Sequence, residues 1–140
     1  MLEAEVATYL DTQGVVTYDA SGTTGDTFIN VLPSTPDDAV GIYSEGGPDP
    51  SPHFIEDRKD IQIIVRGTED PRPAYSTAED IYSALNGLTH YTFSDNTELI
   101  MCKAIQAGPI HIGMDDNQRH RYSLNFRLEI ENATDHRSAK

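Results

Sequence analysis

The stretch DIQIIVRGTEDPRPAYSTAEDIYSALNG, residues 60–87, runs from a β-branched segment straight into a helical one. In IQIIVR, Ile61, Ile63 and Val65 share one face, with Gln62, Ile64 and Arg66 on the other. That pattern predicts an inner strand with one face fully buried. Asp70 is placed to cap the helix that follows. Pro71 and Pro73 fall in its first turn, where no backbone donor is lost. Ala74, Ala78, Ile81, Tyr82 and Leu85 then recur at three and four residues, and Gly87 is suited to the left-handed stop. Strand-to-helix junctions are where many α/β enzymes keep a phosphate loop or a nucleophile. Here RGTEDPRP has one glycine, no GK[ST] and no GxSxG. Glu69 and Asp70 already occupy the positive end of the helix, where an anion would sit. The junction is structural. SGTTGD, residues 21–26, fails the phosphate-loop test too, because no Lys follows its second glycine.

Outward from this junction the elements alternate without repeats. Residues 2–13 place Leu2, Val6, Tyr9 and Leu10 on one helical stripe that Gly14 closes. TGDTFINVL and AVGIYSE predict two short strands, a hairpin joined through the turn signal PSTPDD. Residues 46–60, GGPDPSPHFIEDRKD, are rich in Pro and charge without periodicity, and read as a long exposed loop. Beyond the helix, ELIMCKAIQA and PIHIGM are apolar runs parted by Gly108 and Pro109, and DDNQRH, residues 115–120, is a turn. RYSLNFRLEIE alternates strictly: Tyr122, Leu124, Phe126, Leu128 and Ile130 point one way, Ser123, Asn125, Arg127, Glu129 and Glu131 the other. The sum is one α+β domain over 1–140: a mostly antiparallel sheet of about five to six strands with two helices packed on it, and a flexible tail at 132–140.

The chain of 140 residues carries 23 acids against 10 bases, a formal charge of −13. Residues 1–116 hold 20 acids and 5 bases, whereas 117–140 hold 3 acids and 5 bases. A surface this acidic repels nucleic-acid backbones and disfavours a conventional DNA- or RNA-binding module. It also suits solubility, a surface that must not stick to DNA, or a face that meets a basic partner. No stretch is long and apolar enough to span a bilayer, and the N-terminus lacks the basic and apolar regions of a signal peptide. Cys102 is the single cysteine, set in a strand-like run, and reads as a buried thiol rather than a nucleophile. His53, His90, His111, His120 and His136 stand singly. A metal-assisted hydrolase would recruit His111, Asp115, Asp116 and His120. A turn rich in Asp and Asn explains the same residues more simply. Neither a cofactor nor a metal is expected. An acidic adaptor that binds a basic protein as a monomer is a further alternative.

The order and spacing of IQIIVRG, then AYSTAEDIYSALNG, then IHIGMDDNQRHRYSLNFRLEIE resemble the minor capsid or tail terminator proteins of long-tailed bacteriophages. The similarity covers roughly residues 55–131, and loop 46–60 has no counterpart in it. The resemblance implies a non-enzymatic virion protein, assembled in the host cytoplasm. Such proteins form a hexameric ring on the head-proximal end of the tail tube, stop its polymerisation and offer a surface to neck or head-completion proteins. DNA passes through the channel without specific binding. Another head–tail joining protein is the nearest alternative. In a ring each subunit presents two different patches, and opposite charge makes them complementary. The expected interface residues are Arg66, Arg119, Arg121 and Arg127 on one side. Loop 46–60, or the corner Glu69–Asp70, supplies the other. These arginines neutralising acids of their own subunit is the competing arrangement.

Overall fold

The computed structural model describes residues 1–137. Its elements are α1 (Leu2–Thr12), β1 (Thr27–Ile29), β2 (Ala39–Ser44), β3 (Glu56–Arg66), α2 (Pro71–Leu85), β4 (Thr89–Thr92), β5 (Glu98–Ala104), β6 (Ile110–Met114) and β7 (His120–Glu131). They build a seven-stranded sheet in the order β1-β2-β3-β7-β5-β4, with β6 paired to β7 ahead of β5. This is an α+β fold with a mostly antiparallel sheet, as the periodicities predict.

The centre of the sheet is the pair β3–β7, in register over the whole of β3 from Glu56↔Glu131 to Arg66↔Arg121. Its inner face carries Ile61, Ile63, Val65, Leu124, Phe126 and Leu128, all buried. Helix α2 packs over β3, β5 and β7, and α1 over β1 and β2, so both cover the same face. Each such fully buried side chain contributes about 1.5–3 kcal/mol. Two tyrosines tie the layers together. Tyr9 Oη donates to the carbonyl of Ala84 (3.2 Å), and Tyr122 Oη reaches that of Pro71 (3.4 Å). The junction behaves as its residues dictate: Asp70 accepts from the N–H of Arg72 (3.1 Å), the prolines open α2, and Gly87 follows its end with φ 89°.

Four expectations change. β1 and β2 form no hairpin; they pair in parallel, Thr27↔Val40 to Ile29↔Ile42. Parallel pairing normally needs a long crossover, but β1 is three residues long, and the segment between the strands can retrace so short a path. A strand absent from the sequence reading, β4, pairs with β5 at the sheet edge; its burial is too slight to leave an apolar signature.

The exposed loop ends earlier than expected, because residues 56–60 belong to β3. Arg58, Lys59 and Asp60 are polar yet fully paired to β7, and Asp57 is buried. A buried carboxylate requires a partner. Arg137 supplies it, with hydrogen bonds of 2.7 and 3.0 Å, and Asn132 adds a third at 2.8 Å. Residues 132–137 are therefore held against the start of β3 rather than hanging as a tail; positions 138–140 of that expected tail lie outside the described residues. The Arg137 hydrogen bonds, with a smaller contribution from Asn132, outweigh burial and hold the Asp57 carboxyl at a pKa of about 2.

Candidate assembly surface

The helices leave the second face of the sheet open, and β3–β7 writes a graded pattern across it. The alternate residues of both strands meet there as six rungs. At one end Glu56 faces Glu131. Next come Arg58 with Glu129 (3.9 Å) and Asp60 with Arg127, a bidentate pair at 2.7 and 2.9 Å. Gln62 faces Asn125 and donates to Ser123 Oγ (3.1 Å), and Ile64 faces Ser123. The last rung sets Arg66 opposite Arg121. Opposite charges satisfy each other in the middle, while each end holds two like charges, acids at one and arginines at the other.

Directly opposed like charges destabilise a strand pair. At the basic end Arg66 is buried and donates to the carbonyls of Asp37 (3.1 Å) and Pro36 (2.6 Å). Burial, and then the charge of Arg119, lower its pKa from the ordinary guanidinium value. Arg121 pairs with no carboxylate among the described residues, and its Nε is buried without a partner. Both arginines line a cleft of about 420 Å³ whose apolar walls include Leu32, Tyr43, Ile64 and Ile112. Tyr43 lies across Gly41, where a Cβ would come within 2.9 Å of its ring.

At the acidic end Glu56 and Glu131 are exposed, and neither joins an ion pair among the described residues. Beside them the loop before β3 is braced from below. Arg137 donates to the carbonyls of Ser51 (3.3 Å) and Phe54 (3.0 Å), and Ser51 Oγ accepts from the N–H groups of His53 and Phe54 (both 3.1 Å). The Phe54 side chain is nevertheless 72% exposed. A fixed backbone presenting an open aromatic ring is an unusual use of an apolar side chain on a free surface.

The expected interface residues are not gathered in one patch. Arg66, Arg119 and Arg121 line the basic cleft; Glu69, Asp70 and Arg119 line a second cleft beside it; Arg127 sits mid-ladder. Arg119 is buried and clamps its own subunit, bonding Asp115 (2.9 Å), the Ser34 carbonyl (2.6 Å) and Asp37 (3.2 Å). Arg127 is taken by Asp60, and Asp70 by Arg72. Arg119 and Arg127 thus pair with acids of their own subunit, whereas Arg121 joins no ion pair among the described residues. Sequence reading placed Glu56 and Asp57 in an acidic loop and Glu131 on the polar face of the last strand, but passed over Arg137 and the pairing of Glu56 with Glu131. Extending the alternation of IQIIVR backwards through 56–60 is the signal that would have put Glu56 and Asp57 on the strand.

The histidine candidates do meet in part. His111 Nε2 and His120 Nδ1 lie 3.0 Å apart, as a hydrogen bond between two imidazoles. Asp115 is spent on Arg119, and among the described residues no three metal-ligating side chains converge. Cys102 is buried, and burial pushes its thiol up to about 12, so it carries no thiolate at neutral pH. No helix among the described residues is long and apolar enough to cross a membrane.

Comparison with known proteins agrees with this architecture. Residues 9–132 match the family model described as bacteriophage tail terminator protein. A solved chain from a structure described as the virion of a native gene transfer agent particle is similar in fold. It has a TM-score of 0.63 and 18% identity, covering 94% of this chain and 95% of that one. No curated protein matches the sequence.

Proposed function

This chain belongs to the bacteriophage tail terminator family, and on that premise we propose that it caps the head-proximal end of a tail tube as a ring. It is a structural protein of the virion tail. In this reading the ring, hexameric in the simplest form, stops tube polymerisation and gives neck or head-completion proteins their docking surface. Assembly takes place in the host cytoplasm, and no cofactor takes part.

The observation that carries the reading is the family match, which runs from α1 through both layers to the end of β7. The ladder supports it physically. A cyclic assembly joins two different patches of each subunit, and the two ends of β3–β7 differ in the sign of their charge. The formal charge of −13 favours a channel through which DNA slides without binding.

The experiment is to delete the protein from the particle that carries it and measure the tails. Overlong tails of irregular length, unjoined to heads, are expected. Purified protein added to isolated tubes should then block elongation and appear as a ring at one end. Tails of normal length that merely fail to join heads would reassign the protein to neck joining. Normal particles would overturn the reading.

A further inference from the structure

We propose that the acidic end of the β3–β7 ladder of one copy, with Phe54, seats in the Arg66–Arg121 cleft of the next copy, head to tail. The proposal rests on the ring reading and names the contact that would build it. Three observations point to the same occupant.

Charge comes first. The chain has more than twice as many acids as bases, yet it sets two arginines opposite each other and leaves the Arg121 Nε buried with no acceptor. A buried donor without a partner is costly, and a carboxylate that a neighbour brings to the half-buried Arg121 from outside would screen the repulsion between the two guanidiniums. Glu56 and Glu131 hold the converse defect: two acids face each other with no cation between them. A second copy of this chain resolves both in one contact, each rung supplying the counter-charge the other lacks.

Shape and polarity match next. The cleft has apolar walls, Leu32, Tyr43, Ile64 and Ile112. The acidic end carries Phe54, 72% exposed, on a loop that Arg137 and Ser51 hold in place. A preorganised aromatic anchor entering an apolar pocket ringed by charge is the composition of an interface hot spot.

Geometry closes the argument. The two rungs terminate an 11-residue strand, so they stand about 33 Å apart at the usual rise of a strand. Patches this far apart cannot pair with each other in one subunit. Unlike, complementary patches can meet as an antiparallel two-fold pair or head to tail, and a ring subunit, which offers one patch to each of two neighbours, takes the second arrangement. Unlike, separated, complementary patches produce a heterologous chain that closes into a ring when the rotation allows.

The test is charge exchange, read by sedimentation of the purified full chain. Wild type should self-associate in a concentration-dependent way and loosen as salt rises. Arg121→Glu alone, and Glu56→Lys with Glu131→Lys, should each weaken association by about tenfold or more. All three substitutions in one chain should recover association relative to the double-lysine variant, because the cleft rung, with Arg66 unchanged, then no longer holds two positive charges against the lysines. Phe54→Ala should weaken it with the salt dependence intact. As an independent check, a chain with Phe54→Cys mixed with one carrying Ile112→Cys should form a disulfide-linked dimer on oxidation, and neither alone should.

Reversal variants that associate like wild type would overturn this contact while leaving the ring reading standing on the tail-length experiment. Failure of the combined variant to recover, with its fold intact by circular dichroism, would also overturn it. So would a wild type that stays monomeric at all concentrations. Association of wild type with tail tubes but not with itself, lost in Arg121→Glu, would assign the cleft to the tube protein instead and overturn the proposal.

Discussion

Arg137 grips Asp57 through two hydrogen bonds, at 2.7 and 3.0 Å, across 80 positions of sequence. Both side chains are nearly sealed from solvent, with 8% and 10% of their surfaces exposed. The pair fastens the last described residues to the start of the central strand and also sets the loop that carries Phe54.

Stability should report this pair as acid is added. The Asp57 carboxyl titrates near 2 in the folded chain, below its ordinary value of 3.8. A depressed carboxylate contributes stability that is fully present above the unfolded value and is lost as pH falls through the folded one. Part of the stability should therefore disappear between about pH 4 and pH 2. Arg137→Ala should flatten that part of the curve. It should also cost about 3 kcal/mol at neutral pH, because it leaves a buried carboxylate unpaired. Chemical denaturation at a series of pH values measures both effects; equal slopes for wild type and variant would refute the pairing.

Arg121→Glu should stabilise the isolated subunit. It replaces a like-charge rung with an opposite-charge one, Glu facing Arg66, and such cross-strand pairs are worth about 0.2–1 kcal/mol. A small rise in melting temperature is expected in dilute protein, where association does not contribute. A loss of stability would mean that Arg121 has a partner within its own subunit.

Gly67→Ala should destabilise the strand-to-helix turn. A Cβ at this position would lie 2.8 Å from the Cβ of Ala74, which is fixed on α2 and cannot swing away. Overpacking of this kind costs about 1–3 kcal/mol. Combining it with Ala74→Gly should return part of that loss, less about 1 kcal/mol for a glycine inside a helix. Thermal melts of the single and double variants decide the matter. An unchanged single variant would show that strand and helix do not approach so closely.

Truncating the core should have the largest effect. Phe126 and Leu85 are both fully buried, one on β7 and one on α2. Replacing either by Ala should cost about 2–5 kcal/mol. If neither substitution moved the denaturation midpoint, the packing of α2 on the sheet would be wrong.

What the sequence determined by itself is local. The alternation of Tyr122 to Ile130 and of Ile61 to Val65 places those side chains on the inner face, since a strand has a period of two wherever it pairs. The Asp70 cap, the prolines at the start of α2 and the stripe Ala74–Leu85 define a helix from interactions within a few residues. These were legible because each signal and its physical cause lie within one element.

The tertiary structure alone decided which elements meet. Thr27–Ile29 runs parallel to Ala39–Ser44 because of where the sheet has room, which the turn residues between them do not encode. Residues 56–60 extend the central strand because Arg137, far along the chain, neutralises Asp57, and a carboxylate without that partner would belong in a loop. The same holds for the candidate surface. Arg119, Arg121 and Arg127 look alike in sequence, as basic residues of one stretch. Register gives Arg127 to Asp60, and the returning 30–38 segment holds Arg119 through Ser34 and Asp37. Arg121 is left facing Arg66, because Coulomb interactions act over a few ångströms of space and strand pairing alone sets which charges stand that close.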